Sequence, residues 1–233
     1  MSSFKKYLPL AVIATLSILA WVFNLHHLIS LEALKTHEKF LNDFVHHHFL
    51  LAIFIYGMAY IAVVSLSIPI ATVMTLIGGF LLGQVWGAFC VVIAATLGSS
   101  ILFLSARLAS SGSAFQKENN RIERMRKGFQ SNAFSYLLTL RFIPIFPFAA
   151  INLAAAFFQI PLKTFFLATF IGIIPGSFVY VSLGVALRQV IQTPDFSPHL
   201  VLDPKILIAF IGLGFLSLAP VIYHVIVRRK NAP

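Results

Sequence analysis

The sequence predicts an all-α integral membrane protein, with about five transmembrane helices plus two re-entrant hairpins that form an inverted repeat. Three observations carry this. Of 233 residues, 59% are hydrophobic and 10% charged, with a mean hydropathy of +0.91, whereas soluble domains carry about 25% charged residues. Residues 49–106 contain no Asp, Glu, Lys, Arg or His, and residues 134–187 hold only Arg141 and Lys163 as charges. Both stretches are interrupted by Pro and Gly, and a helix broken at membrane depth is tolerated only where protein or a watery cavity satisfies its backbone.

Charge placement agrees. All seven acids (Glu32, Glu38, Asp43, Glu118, Glu123, Asp195, Asp203) lie outside the apolar runs. The bases gather at Lys5–Lys6, between Arg107 and Lys127, and at Arg228–Lys230, beside apolar runs, where positive charge orients membrane helices. The formal +10 is therefore no nucleic-acid footprint, and no nucleic-acid partner is expected. The single Cys90 excludes an internal disulfide.

The first run, Tyr7 to Leu25, is long enough to span. Cleavage after Ala20 would put Ile18 where a small residue is needed, so the run reads as a retained anchor with a cytoplasmic N-terminus. Residues 26–48 carry Leu31, Leu34, Leu41, Phe44 and Val45 opposite Glu32, Lys35, Glu38, Lys39 and Asp43, with Ser30 as N-cap. That suits a helix lying in the membrane interface or a solvated connector. Next come a span at 49–64, a re-entrant hairpin at 67–84 broken at Ser65, Ser67 and Pro69, and a span at 86–106. Gly78 lies in this hairpin, and Gly79, Gly83 and Gly87, four apart, predict close helix packing. A basic loop, 107–132, includes a short helix near Arg121 to Phe129. A second hairpin, 142–160, lies among Pro144, Pro147, Pro161 and Pro175. A linker with Pro194, Asp195, Pro198 and Pro204 leads to a last span, Ile206 to Val227. The domains expected are 1–48, 49–187 and 188–233.

The two interrupted stretches echo each other. Ile68-Pro69-Ile70 parallels Ile143-Pro144-Ile145, and Gly78-Gly79-Phe80 parallels Ala155-Ala156-Phe157. Phe89 aligns with Phe166, and Gly98-Ser99-Ser100 with Pro175-Gly176-Ser177. Paired, interrupted segments in corresponding halves point to a transporter site. If each repeat crosses once, the second is inverted and the termini face opposite sides. The N-terminus, the 107–132 loop and the C-terminus are nevertheless all basic. The repeat outweighs the C-terminal charges, because the first helix usually dominates orientation; the side of the loop and of the C-terminus stays open.

Arg141 is the leading candidate for chemistry. A charge at the bilayer centre costs about 3 kcal/mol or more, so its place beside a proline-broken hairpin implies a partner or a wet cavity. Its planar fork matches phosphate, which makes an anionic lipid headgroup a natural guest; snorkelling to the interface is the alternative. Pro144 and Pro147 remove backbone donors and free carbonyls. Asn152 could bond those carbonyls or a ligand, or join helices. Lys163 reads as an interfacial anchor, and His224 as a polar interface residue. His46, His47 and His48, with His26 and His27, cannot all converge on one ion, so neither metal nor cofactor is expected. There is no intramembrane acid, no Cys–His pairing and no nucleophile with a base nearby, so the chain is not expected to be an enzyme. The lack of acids also counts against a carboxylate proton relay.

At Leu140-Arg141-Phe142-Ile143-Pro144-Ile145-Phe146-Pro147-Phe148, followed by Asn152 and Ala155, the chain resembles the DedA / SNARE-associated Golgi protein superfamily (VTT domain), in its Tvp-type branch. Gly78-Gly79-Phe80 through Gly83, Ala95-Thr96-Leu97-Gly98-Ser99 and Ile174-Pro175-Gly176-Ser177 fit the same pattern, over about residues 49–187. The resemblance implies two facing re-entrant hairpins, with lipid scrambling, polyprenyl-phosphate flipping or proton-linked membrane homeostasis in different branches. It places binding on Arg141, Pro144, Pro147 and Asn152, and hairpin packing on Pro69, Gly78, Gly79, Gly83, Ala155, Pro175 and Gly176. Ala156 replaces the family glycine, tightening the hairpin. Ser65 and Ser67 stand where proton-linked branches carry an acid, which favours a passive lipid path.

The function expected is therefore a flippase- or scramblase-like lipid translocator supporting membrane homeostasis. Its partners would be membrane lipids and possible further copies of itself. A secondary transporter of a small solute or ion, and a non-transporting scaffold, are the alternatives. The short termini point to a bacterial inner membrane.

Overall fold

The computed structural model describes residues 37–110, 129–130, 132–142 and 146–192, together with Ile13 and Thr15. Nearly all of the anchor at 7–25, residues 26–36, residues 111–128 of the basic loop, Pro144 and the span at 206–227 lie outside them. Six helices follow in order: α1 (Glu38–His47), α2 (Phe49–Ser65), α3 (Ala71–Ser110), α4 (Ala133–Phe142), α5 (Phe148–Phe157) and α6 (Leu162–Gln192). Among the described residues two helices, Ala71–Ala109 and Leu162–Gln189, are long and apolar enough to cross a membrane.

α1 leaves α2 at 117°. Val45 packs against the core while Lys39, Asp43, His46 and His47 stay exposed. This is the two-sidedness expected of an interfacial helix. α2 presents Leu50, Phe54, Ile55 and Met58 outward, an apolar face suited to lipid.

α3 is two helices rather than one. Gly83, at φ 77° and ψ −176°, occupies a backbone region that is essentially glycine-only. In a straight helix Gly78 and Gly87 would lie about 13 Å apart, yet a Cβ on Gly87 would sit 2.8 Å from the Gly78 carbonyl oxygen. The chain therefore doubles back at Gly83, giving α3a (71–82) and α3b (84–110).

Side-chain registers then fix how deep the first hairpin reaches. The Tyr56 hydroxyl donates to the Met74 carbonyl (2.7 Å) and the Tyr60 hydroxyl lies 3.4 Å from the Ala71 carbonyl, so α2 and α3a run antiparallel. Phe49 meets Trp86 edge-on, Cys90 Sγ lies 3.7 Å from the Ile53 carbonyl, and Ser65 Oγ donates to the Gly98 carbonyl (3.2 Å). α2 thus starts level with α3b but ends beside Gly98, and α3b continues to Ser110, about 18 Å further. The sequence had suggested a span at 49–64 and a separate hairpin at 67–84. Instead, α2 and α3a are the two arms of one hairpin whose tip, 66–70, lies halfway along α3b. Ile68 N bonds the Val63 carbonyl and Ser67 N the Val64 carbonyl, with Ser67 at φ 56°. These bonds satisfy the last carbonyls of α2 as a Schellman motif does, and Pro69 keeps the helix from resuming.

The second half repeats the plan. Gln130 Nε2 donates to the Phe158 carbonyl (3.1 Å), placing the start of α4 beside the end of α5. The far end of α4 lies against α6: a Cβ on Gly172 would come 2.7 Å from the Arg141 Cβ. α6 runs on from there to Gln192, about 30 Å. After α5, Gln159 at φ 53° makes the outer bend, the counterpart of Gly83.

The halves interlock. Phe103 stacks on Phe165 with centroids 4.3 Å apart, joining α3b to the start of α6. Near the other end of α3b, Gln84 Nε2 donates to the Phe178 carbonyl (3.3 Å). A Cβ on Gly79 would collide with the Val181 carbonyl, and one on Gly184 with the Leu76 carbonyl, so α3a and α6 touch backbone to backbone, as small residues allow in membrane helices. Thr96 and Ser100 bond carbonyls of their own helix, which keeps these buried hydroxyls satisfied without water.

Candidate functional site

Arg141 stands in the last turn of α4, beside the tip of the second hairpin. Its Nη2 donates to Asn152 Oδ1 (2.6 Å) on α5 and to Thr169 Oγ1 (3.0 Å) on α6. The Phe148 ring lies 4.3 Å from its Cζ and the Phe165 ring 5.7 Å, and aromatic faces attract a desolvated cation. Gly172 leaves room for the arginine stem to lie flat on α6. The three elements of the second half thus converge on one guanidinium.

What the guanidinium lacks is as informative. Arg141 Nε and Nη1 are buried without a partner, and so is Nδ2 of the fully buried Asn152. Because arginine can only donate, it holds the Asn152 oxygen towards itself and leaves the amide nitrogen open. All the open groups are therefore N–H donors beside a positive charge. Leaving a buried donor unmet costs about 1–3 kcal/mol, more for a charged group, so this cluster is complementary to an oxyanion.

A cavity of about 170 Å³ adjoins it, lined by Tyr60, Val64, Ala71, Thr72, Thr75 and Ala95 from the first half. The second half contributes Arg141, Phe148, Ile173, Gly176, Ser177 and Tyr180. None of these is acidic. The cavity lies between the hairpin tips, level with Ala95, near the middle of α3b. On the first-half wall the buried hydroxyls are engaged, Tyr60 with Thr75 and Thr75 in turn with the Ala71 carbonyl (2.9 Å), while Thr72 is exposed.

Of the residues read from sequence, Arg141 and Asn152 come together, and Gly176 lines the cavity, where a Cβ would meet nothing within 4 Å. Of the three readings of Asn152 (freed carbonyls, a ligand, or joining helices), its oxygen meets the last, tying α5 to Arg141 on α4. Pro147 is the exposed N-cap of α5, and Pro69 lies exposed in the first tip. Pro175 sits inside α6 beside the cavity. Gly78 and Gly79 permit close approach to Tyr56 and Val181, whereas Gly83 has no neighbour within 4 Å and is required by its backbone angle rather than by packing. Ala155 and Ala156 are buried in a cluster with Phe103 and Phe165. Lys163 is exposed at the start of α6. Thr169 and Phe165 carried no signal beyond being a hydroxyl and a ring in an apolar run, so sequence reasoning passed over them, whereas Phe148 closed the Arg141 motif but was given no role.

Two facing hairpins are what the resemblance at the Arg141 motif implied; here each is followed by a long helix, and a cavity between their tips adjoins buried Arg141. The VTT domain model matches residues 68–186, from the first tip to the far part of α6. The chain belongs to the VTT-domain family. Relatives of this VTT domain include Transmembrane protein 41B of Xenopus tropicalis, 28% identical over 182 residues, covering 75% of this chain and 62% of that protein. The human Transmembrane protein 41B is 28% identical over 182 residues, covering 75% and 60%. The Transmembrane protein 41 homolog of Dictyostelium discoideum is 25% identical over 189 residues, covering 80% and 55%. The match spans about three fifths of the length of these relatives. No solved structure matches the chain.

Proposed function

We propose that this VTT-domain protein moves phospholipid or lipid-phosphate headgroups between leaflets, seating the phosphate on Arg141 and Asn152. The observation that carries this reading is the set of buried, unpartnered N–H donors, Arg141 Nε and Nη1 and Asn152 Nδ2, beside a cavity midway along a spanning helix. A buried cation with open donors and no carboxylate among the residues lining its cavity needs an anion from outside. In a bilayer the abundant anion is the lipid phosphate, and guanidinium binds phosphate bidentately. A cavity of this size takes a headgroup and leaves the acyl chains in the surrounding lipid, against apolar faces such as that of α2.

The reading extends to topology. The end of α3b meets the start of α6 through Phe103 and Phe165, and Gln84 at its beginning meets Phe178. This supports antiparallel long helices, hence an inverted repeat. With a first span at 7–25 and a last at 206–227, the two long helices give four full crossings rather than five, the N-terminus being cytoplasmic beside Lys5 and Lys6.

The test is leaflet exchange of a fluorescent phospholipid in proteoliposomes without any ion gradient. Acceleration over protein-free vesicles, lost in Arg141→Leu protein that is still folded, is the expected result. Exchange that requires an imposed gradient would favour a secondary transporter, and no exchange in either condition a scaffold; each would overturn the proposal.

A further inference from the structure

Two arginines outside the cavity make matching contacts across the interface between the halves. Arg107, near the end of α3b, donates through Nη1 to the Ile160 carbonyl (3.3 Å), next to the outer bend at Gln159. Arg188, near the end of α6, donates through Nη1 to the Phe80 carbonyl (3.4 Å), next to the outer bend at Gly83. Each long helix thus holds the outer bend of the other half with an arginine near its C-terminal end.

Their spacing gives the pair a meaning. Gln84 marks the first bend and Arg107 the second, about 35 Å apart along α3b at 1.5 Å per residue, which exceeds a hydrocarbon core of about 30 Å. Ala95, which lines the cavity, stands about 17 Å from one and 18 Å from the other along the same helix. The two contacts therefore bracket the cavity, one towards each face of the membrane. The Phe80 carbonyl lies in the last turn of α3a and the Ile160 carbonyl in the connection between α5 and α6, and an arginine at interfacial depth gives each a donor while its charge stays near water.

We infer that Arg188 and Arg107 are paired clasps, each closing one membrane face of the central cavity, so that opening to one side releases one clasp and keeps the other. Arg188 bridges α6 to α3a, and Arg107 bridges α3b to the bend between α5 and α6. Releasing either removes one tie between a bend and the long helix of the other half and leaves the opposite end held. Gln84, which donates to the Phe178 carbonyl (3.3 Å), and the Phe103–Phe165 stack add to the hold at the first and second bends respectively. The inference rests on the transmembrane placement proposed above, but not on what occupies the cavity.

Sided accessibility of the cavity tests it. Ser177, buried at 7% exposure, becomes the reporter as Ser177→Cys in a Cys90→Ala background. A membrane-impermeant thiol reagent is applied to right-side-out and inside-out vesicles. Losing a hydrogen bond from a charged donor should raise the open population on the order of tenfold. Arg188→Leu is expected to raise Cys modification by that factor from the face at Gly83, leaving the other face unchanged. Arg107→Leu should give the mirror image. Should a Leu variant fail to accumulate, Arg188→Gln and Arg107→Gln, which keep a neutral donor, should show smaller rises on the same respective faces. Rises on one common face, or unchanged modification in folded variants, would overturn the clasps. Labelling needs no lipid movement, so this failure and failure of the translocation reading are separable.

Discussion

The two halves share a plan yet differ in where they leave polar groups unmet. In the first hairpin the hydroxyls of Tyr56, Tyr60 and Thr75 bond each other or nearby carbonyls, and Ser67 Oγ is the one buried polar atom found there without a partner. The second hairpin has shorter arms, of 10 residues each, and a guanidinium with two buried nitrogens open. Equivalent backbones thus carry different duties. The first half is an internally satisfied wall, whereas the second holds unspent binding capacity. A ligand site in such a pair is found by asking which copy fails to satisfy itself, since shared geometry cannot tell them apart.

The largest expected effect tests that contrast directly. Arg141→Glu puts an anion where the cavity offers donors, and leaflet exchange should fall to the protein-free rate. Arg141→Lys keeps the charge but loses the fork and should slow exchange on the order of tenfold or more. Wild-type exchange in Arg141→Lys would leave Arg141 as an anchor and erase the distinction between the halves. The outer bends supply the next comparison. Gly83→Ala should destabilise by about 1–3 kcal/mol, because its φ/ψ region excludes a Cβ. Gln159→Gly should instead be neutral or stabilising by up to about 1 kcal/mol, relieving a left-handed backbone. Thermal unfolding in detergent measures both, and equal losses would mean the bends are not conformationally distinct.

Asn152→Asp gives a function-against-stability split. A carboxylate in place of the Asn152 amide, which lies 2.6 Å from Arg141 Nη2, would neutralise the guanidinium internally. Folding stability should hold or rise, while exchange slows on the order of tenfold as the anion site fills itself. Exchange at the wild-type rate would contradict the site. The smallest effect belongs to the first half. Thr75→Val preserves shape and removes the bond to Tyr60, costing about 1 kcal/mol of stability and leaving exchange within about twofold, as half that energy would. A transport defect there matching that of the Arg141 variants would show the first wall to be part of the binding site.

Much of this was legible in residues 49–187, because the bilayer forces local rules. Every backbone group must be satisfied within its segment, so apolar runs read as helices and Pro69 and Pro147 as breaks. Arg141 stood out because a charge in an apolar run demands a reason. The repeat of Ile-Pro-Ile and of small residues gave the two-fold plan. The boundaries were less legible: the 67–84 hairpin became one arm of a longer one, since a sequence does not tell which of two breaks lies at the end of a long helix and which halfway along it. Contacts between Ser65 and Gly98, and between Gly78 and Gly87, decide that.

By itself the sequence determined that the chain is a helical membrane protein, that two interrupted segments correspond, and that Arg141 and Asn152 are polar groups needing partners. Each of these follows from composition or from spacing along one helix. The tertiary structure alone decided that Asn152 and Thr169 bind Arg141, that Phe148 flanks it, and that Arg107 and Arg188 reach bends in the opposite half. Those pairings join residues 11, 28, 53 and 108 positions apart. They depend on how deep each hairpin sits against a long helix, a register set by packing between segments rather than by any pattern within one.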